Sequence, residues 1–158
     1  MYRRRGDYHR RVRFREAVRA DLPAVVAMLA DDLLGRTRDQ AVVDEVYERA
    51  FAAVADDPRN ELIVADDGGE VVAVLQVTYI PGLSRHGAER ALVESVRVRA
   101  DRRGRGAGAA LMAWVVDRAR ARGCALVQLT TDKRRTDARR FYEGLGFVAS
   151  HEGMKLDL

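Results

Sequence analysis

From Glu94 to Leu111 the chain reads ESVRVRADRRGRGAGAAL, and its glycines and arginines are spaced in a way that could bind an anion. Gly104, Gly106 and Gly108 let the backbone turn sharply and come close to a ligand. The apolar residues after them predict a helix, and the first turn of a helix offers unpaired N–H groups at the positive end of its dipole. Arg102, Arg103 and Arg105 add full positive charges. Without a ligand these arginines would repel one another for no gain, so the pattern predicts a phosphate site. It would be formed mainly by the backbone N–H groups of Arg103, Gly104, Arg105, Gly106, Ala107, Gly108 and Ala109.

A second chemical feature lies just upstream. The stretch 90–99 predicts a strand, and strict alternation places Leu92, Glu94, Val96 and Val98 on one face and Val93, Ser95, Arg97 and Arg99 on the other. Glu94 would then sit on the apolar face, where desolvation suits a carboxylate to take up a proton. A buried ion pair with Arg90 or another arginine, or a bulge that turns Glu94 outward, are the alternatives. His86, beside Ser84 and Arg85 on a polar loop, is a second candidate base, although a loop histidine is ordinarily just solvated. His9 and His151 have no evident partner. Cys124 reads as a small buried hydrophobe, and the histidines and cysteine show no metal-ligand spacing.

The elements that must position these residues follow from periodicity. Residues 12–17 alternate as a strand. Asp21 is placed to cap a helix carrying Leu22, Val25, Val26, Leu29 and Leu33, with Gly35 as its stop. A second helix is predicted over 40–55 with a wide stripe of Val42, Val43, Val46, Tyr47, Ala50, Phe51 and Val54. Strands at 61–65 and 70–80 flank Asp66-Asp67-Gly68-Gly69, a hairpin signal of open turn type. The helix after the glycine loop extends to about Arg122 and Gly123, a strand covers 125–131, and a helix carries Ala138, Phe141, Tyr142 and Leu145. The tail 147–158 is expected to hold two short strand pieces. The order β-α-α-β-β-β-α-β-α-β predicts an α/β fold (mixed α+β) with a central mixed sheet and helices on both faces.

Two of these stretches resemble the hallmarks of the GNAT superfamily of N-acetyltransferases. Arg103-Gly104-Arg105-Gly106-Ala107-Gly108 is similar to that family's pyrophosphate signature, (Arg/Gln)-x-x-Gly-x-(Gly/Ala). Ala138-Arg139-Arg140-Phe141-Tyr142-Glu143-Gly144-Leu145-Gly146-Phe147 is similar to its second hallmark, Ala-x-x-Phe-Tyr-x-x-x-Gly-Phe. Arg15-x-Ala17 followed by Asp21-Leu22 resembles the usual family start, and the resemblance covers residues 12–158. It implies a mostly antiparallel sheet and the use of acetyl-coenzyme A as cosubstrate. The acetyl group would move directly to a primary amine, with a small molecule favoured as acceptor. It further implies Glu94 as base, Tyr142 as the acid that protonates the departing thiolate, and the backbone at Val96 and Val98 as partner of the pantetheine arm and donor to the oxyanion. Many members carry an asparagine where this chain has Arg135, and the run Lys133-Arg134-Arg135 could instead face the cofactor's ribose phosphate. Asp31, Asp32 and Glu45 could attract a cationic amine, and a homodimer is compatible with the family.

Composition narrows the alternatives. The 158 residues are 47% hydrophobic and 33% charged, as in a soluble globular domain, and are read as one domain over 12–158 after a basic flexible leader over 1–11. That leader holds five arginines against Asp7, which accounts for the whole net charge of +4. A basic run without interleaved aromatics is weak evidence for nucleic acid as a partner. No apolar run is long enough for a membrane span, no secretory signal is evident, and a single cysteine fits a reducing, cytoplasmic setting. Two rival readings remain. Gly104-x-Gly106-x-x-Ala109 with Asp132 also satisfies a dinucleotide-binding fingerprint, although its arginines and the short remaining chain speak against it. The same fold could also serve as a non-catalytic acyl-coenzyme A sensor.

Overall fold

The computed structural model describes residues 12–31 and 42–158. The described residues divide into two compact units at the boundary between Gln128 and Leu129. The strands β1 (Val12–Glu16), β2 (Asn60–Asp67), β3 (Glu70–Ile80), β4 (Arg90–Val98) and β5 (Leu126–Leu129) form one sheet in the order β1-β2-β3-β4-β5. The pairings of β1 with β2, β2 with β3 and β3 with β4 are antiparallel. The mixed α/β architecture with a mostly antiparallel sheet is as expected from sequence.

Turn chemistry sets the β2–β3 register. Asp67 pairs with Glu70, so the loop is the two residues Gly68 and Gly69, at φ +68° and +94°. Two consecutive positive φ values define a type I′ turn, whose twist matches that of the strands it joins. The pairing places Phe14, Ala65, Ala73 and Val98 on one face of the sheet, and Val64, Val74 and Arg97 on the other.

A helix covers each face. In α1 (Leu22–Ala30), Val25 and Met28 pack on Val64, Val71 and Val74. On the opposite face, α4 (Ala107–Arg122) buries Ala107, Ala110, Leu111, Met112, Val115 and Ala119. Its Trp114 ring lies 6.0 Å from that of Phe14, and the Arg122 guanidinium lies 4.1 Å from the Tyr79 ring centroid. Val26, Ile63, Leu75, Val77, Val93 and Leu111 are fully buried within this unit.

Several expectations are corrected. α1 ends at Ala30, short of Gly35; Asp32, Leu33, Gly35 and the leader 1–11 lie outside the described residues. Asp21 does not cap α1 with its side chain, because its carboxylate is taken by Arg15 (2.6 and 3.0 Å) and by the Val18 N–H (2.8 Å). α2 (Glu45–Asp56) begins after Gln40, where the Asp44 side chain accepts from the N–H groups of Val46 and Tyr47. It buries no residue fully, so its apolar stripe is only half covered. Residues 84–87 form a single turn, α3 (Ser84–Gly87). In the second unit, α5 (Thr136–Gly144) is present, but residues 147–158 form no strand.

Candidate active site

The glycine loop links β4 to α4 through two left-handed glycines. Val98 ends β4, residues 100–102 make one 3-10 turn, and residues 103–106 turn into α4. Gly104 and Gly106 hold φ of +71° and +91°, which a side chain would strain. Among the described residues, and apart from the chain neighbours, no atom lies within 4 Å of where a Cβ would stand at either glycine, so the space before the loop is open to them. The α4 N-cap, Gly106, offers no side-chain acceptor, and the first turn of α4 holds no acidic residue. The N–H groups of Ala107, Gly108 and Ala109 therefore have no acceptor from the helix or its cap. These features fit a pyrophosphate group.

The arginines divide their work differently from the sequence expectation. Arg102 is held by Asp67 (2.8 Å) and Glu70 (3.6 Å), which ties the loop to the β2–β3 turn. Arg103 donates through Nε to the Val98 carbonyl (3.0 Å) and pairs with Asp31 (3.0 Å) at the end of α1. The three charges are thus not crowded without compensation: two are neutralised by carboxylates. Arg105 is exposed and, among the described residues, has no ion-pair partner.

Glu94 departs from its expected setting, and the backbone gives the reason. Val74 pairs with Arg97 and Gln76 with Glu94, so Ser95 and Val96 together oppose Leu75 in a β-bulge, with Ser95 at φ +53°. The extra residue reverses the alternation. Val98 falls on the α4 face opposite Ala73, whereas Glu94 falls on the α1 face opposite Gln76. Glu94 is exposed, so the apolar burial expected of it is absent. What remains is an accessible carboxylate beside a bulge. The carbonyls of Val96 and Val98 accept from Arg97 Nη1 (2.9 Å) and Arg103 Nε (3.0 Å) respectively.

Sequence reasoning missed the neighbours of Glu94 on that face. Asn60 Oδ1 accepts from Gln76 Nε2 (3.1 Å) and from the Thr78 hydroxyl (2.6 Å). Asn60 Nδ2 donates to Asp57 (2.8 Å), whose carboxyl is held below its ordinary range first by the Arg59 backbone N–H and then by Asn60. The signal was present, since Gln76 and Thr78 stand two residues apart in an otherwise apolar run. His86 lies exposed in the α3 turn at φ +59°.

On the α4 face, a depression of about 220 Å³ is lined by Glu61, Tyr79, Arg118, Ala121 and Arg122. Its charged side chains are already paired: Arg118 with Glu61 (2.6 Å) and Arg122 with Glu89 outside the lining, while the Tyr79 hydroxyl donates to Glu61 (3.2 Å). Burial pushes the Tyr79 phenol up to about 12, which suits a structural hydroxyl better than a proton carrier. Cys124 lies 3.7 Å from Glu89, and its thiol is pushed up chiefly by burial, away from nucleophilic reactivity.

In the second unit, Tyr142 stacks edge-on to Phe141 (5.1 Å between centroids) and to Phe147 (6.0 Å). The Phe147 N–H returns to the Tyr142 carbonyl (3.1 Å), and Gly146, at φ +93°, lets the chain turn there. The second sequence hallmark thus folds as one helix end, in which the glycine reverses the chain and the last Phe packs back on the Tyr.

Comparison with known proteins settles the family. The family model described as acetyltransferase (GNAT) family matches residues 24–147. The chain belongs to the GNAT family of acetyltransferases. It is 30% identical over 151 residues to the aminoalkylphosphonate N-acetyltransferase of Salmonella typhimurium, covering 96% of this chain and 94% of that protein. It is also 30% identical over 140 residues to the L-methionine sulfoximine/L-methionine sulfone acetyltransferase of Pseudomonas paraeruginosa, covering 86% and 80%. A crystal structure from Bacillus halodurans, described as a transcriptional regulator, superposes with a TM-score of 0.91 at 51% identity over 93% of this GNAT chain and 99% of that one. Among the described residues of this acetyltransferase, no helix is long and apolar enough to cross a membrane.

Proposed function

We propose that this acetyltransferase moves the acetyl group of acetyl-coenzyme A directly to the primary amine of a small molecule. The observation that carries this reading is the open glycine loop at the start of α4, whose N–H groups meet no acidic side chain in the first turn. Residues Arg103–Ala109 would hold the pyrophosphate, with Arg105 as the cation most accessible to it. Acetyl-coenzyme A supplies the activated acetyl group as a thioester. Glu94 takes the proton of the attacking ammonium, directly or through water, and its exposure at the bulge gives an amine access to it. The amine nitrogen forms the new bond to the acetyl carbon as the carbon–sulfur bond breaks. Backbone N–H groups at the bulge receive the oxygen charge, and Tyr142 returns a proton to the departing sulfur. Both curated relatives are named for small amines that carry a tetrahedral phosphorus or sulfur group, which supports an acceptor of that kind.

Calorimetric titration with acetyl-coenzyme A, followed by thiol release with 2-aminoethylphosphonate, methionine sulfoximine and methionine sulfone, tests the reading. Micromolar binding and acetyl transfer to at least one of these amines are expected. A second reading, an acyl-coenzyme A sensor, draws on the regulator description of the Bacillus structure. Binding without turnover of any amine would favour it, and dinucleotide binding in place of acetyl-coenzyme A would overturn both.

A further inference from the structure

The Gln76 amide is held by Asn60 in one hydrogen-bonded orientation, and Gln76 stands directly opposite Glu94. Asp57, as a carboxylate held below its ordinary range, can only accept, so Asn60 must turn its Nδ2 toward it. Asn60 Oδ1 then faces β3, where it receives the Thr78 hydroxyl and Gln76 Nε2. Gln76 in turn has its Nε2 committed toward β2, on one side of β3. In a planar amide Oε1 diverges from Nε2, and the strand on the other side of β3 from β2 is β4. The residue directly opposite Gln76 on β4 is Glu94. Directly paired side chains of an antiparallel sheet stand about 5 Å apart at Cβ and share a face.

We propose that Gln76 Oε1 is the second acceptor for the substrate's ammonium group, beside the Glu94 carboxylate, and that Asp57 and Asn60 hold it in that orientation. The proposal rests on the acetyl-transfer reading above and deepens it. A primary ammonium has three N–H donors and a carboxylate satisfies only some of them. A neutral amide oxygen keeps its hold on the nitrogen after Glu94 has accepted the proton, so the amine stays positioned when it becomes the nucleophile. Gln76 is thereby a substrate-binding residue, and Asn60 a positioning residue that acts through it. The ligand class is a primary alkylammonium, recognised as a cation and retained as a neutral amine.

The test uses the full-length protein, acetyl-coenzyme A, and whichever of 2-aminoethylphosphonate and methionine sulfoximine it acetylates faster. Gln76→Met removes both amide atoms and keeps the shape; the amine KM is expected to rise at least tenfold while the acetyl-coenzyme A KM stays within twofold. Gln76→Glu keeps an acceptor oxygen toward β4 but cannot donate to Asn60. As a substrate-binding group it should restore the amine KM to within threefold of wild type at pH 8; as a purely structural link it would be as impaired as Gln76→Met. Asn60→Ala leaves β3 intact and frees the amide to rotate, so it is expected to raise the amine KM several-fold even if Gln76→Met does not fold. An unchanged amine KM in Gln76→Met and Asn60→Ala, or equal impairment of Gln76→Met and Gln76→Glu, would overturn the proposal while leaving acetyl transfer intact. Absence of turnover of both amines by the wild-type protein would overturn the acetyl-transfer reading, and this inference with it.

Discussion

Glu94 stands at the last regular position of β4 before Ser95 adopts φ +53°, and its carboxylate is exposed. A base in that setting acts through placement rather than through burial. Glu94→Gln keeps the shape and removes the proton acceptor, so kcat with an amine acceptor should fall about 100-fold, within the usual range for a general base. The KM for acetyl-coenzyme A should stay within twofold, because the loop that would hold the cofactor is elsewhere. An unchanged kcat in steady-state thiol release would remove Glu94 from the mechanism. Tyr142→Phe deletes only the hydroxyl and leaves the edge-on packing with Phe141 and Phe147, so a loss of about 100-fold in kcat is expected for the acid role. A tyrosine kept only for packing would give full activity.

At the scale of elements, the strand–loop–helix unit from β4 to α4 is the proposed cofactor site, and Gly106 is its pivot. The residue is both the N-cap of α4 and left-handed at φ +91°. Gly106→Ala forces an L side chain into that region, which costs about 1–2 kcal/mol, and sets a methyl group in the open space before the loop. A fall in Tm of a few degrees and a loss of acetyl-coenzyme A affinity of at least tenfold by calorimetry are expected. Retained affinity would mean that the anion binds elsewhere. This unit was legible in the sequence because glycine is the one residue whose presence reports a backbone angle, and because Gly106 and Gly123 bracket the helix. The β2–β3 hairpin was legible for the same reason, whereas its two-residue turn was not, because the pairing of Asp67 with Glu70 depends on the register. The β4 bulge was not: Ser95 gives no warning of a positive φ, and one extra residue moves Glu94 to the opposite face from Val98. The Asn60–Gln76–Thr78 cluster was half legible, since the polar pair breaks the apolar run, while its link to Asp57 depends on a register that only the folded sheet supplies. The arginines were read as one group because their partners, Asp31, Asp67 and Glu70, are remote in sequence.

For the molecule as a whole, the charge arrangement makes stability depend on pH with a definite sign. Arg15 on β1 pairs with Asp21 (2.6 Å) and with Asp66 (3.0 Å), whose side chains are only 9% and 6% exposed. Asp66 also accepts from the Gly69 N–H (2.6 Å), so one arginine joins the first strand, the start of α1 and the β2–β3 turn. Asp21 is held below the ordinary carboxylate range chiefly by the Arg15 guanidinium; Asp66 is held below it by the Gly69 N–H and then by Arg15. A depressed carboxyl contributes stability above its unfolded pKa, near 3.9, and loses it as pH falls through the folded value. Thermal stability should therefore vary little from pH 6 to pH 8 and decline steeply below about pH 4. Arg15→Met keeps much of the side-chain volume but removes the guanidinium shared by two nearly buried carboxylates, leaving Asp66 only the exposed Arg13 at 3.5 Å as a cation, at a cost of about 3 kcal/mol at pH 7, or a Tm lower by about 6–12 °C. Protonating Asp21 and Asp66 removes the charges that made the loss costly, so the gap in Tm between wild type and Arg15→Met should narrow as pH is lowered toward 3. A gap constant from pH 7 to pH 3 in scanning calorimetry would show that Arg15 stabilises the fold by packing its aliphatic stem, and that the two aspartates are not the source of the acid sensitivity.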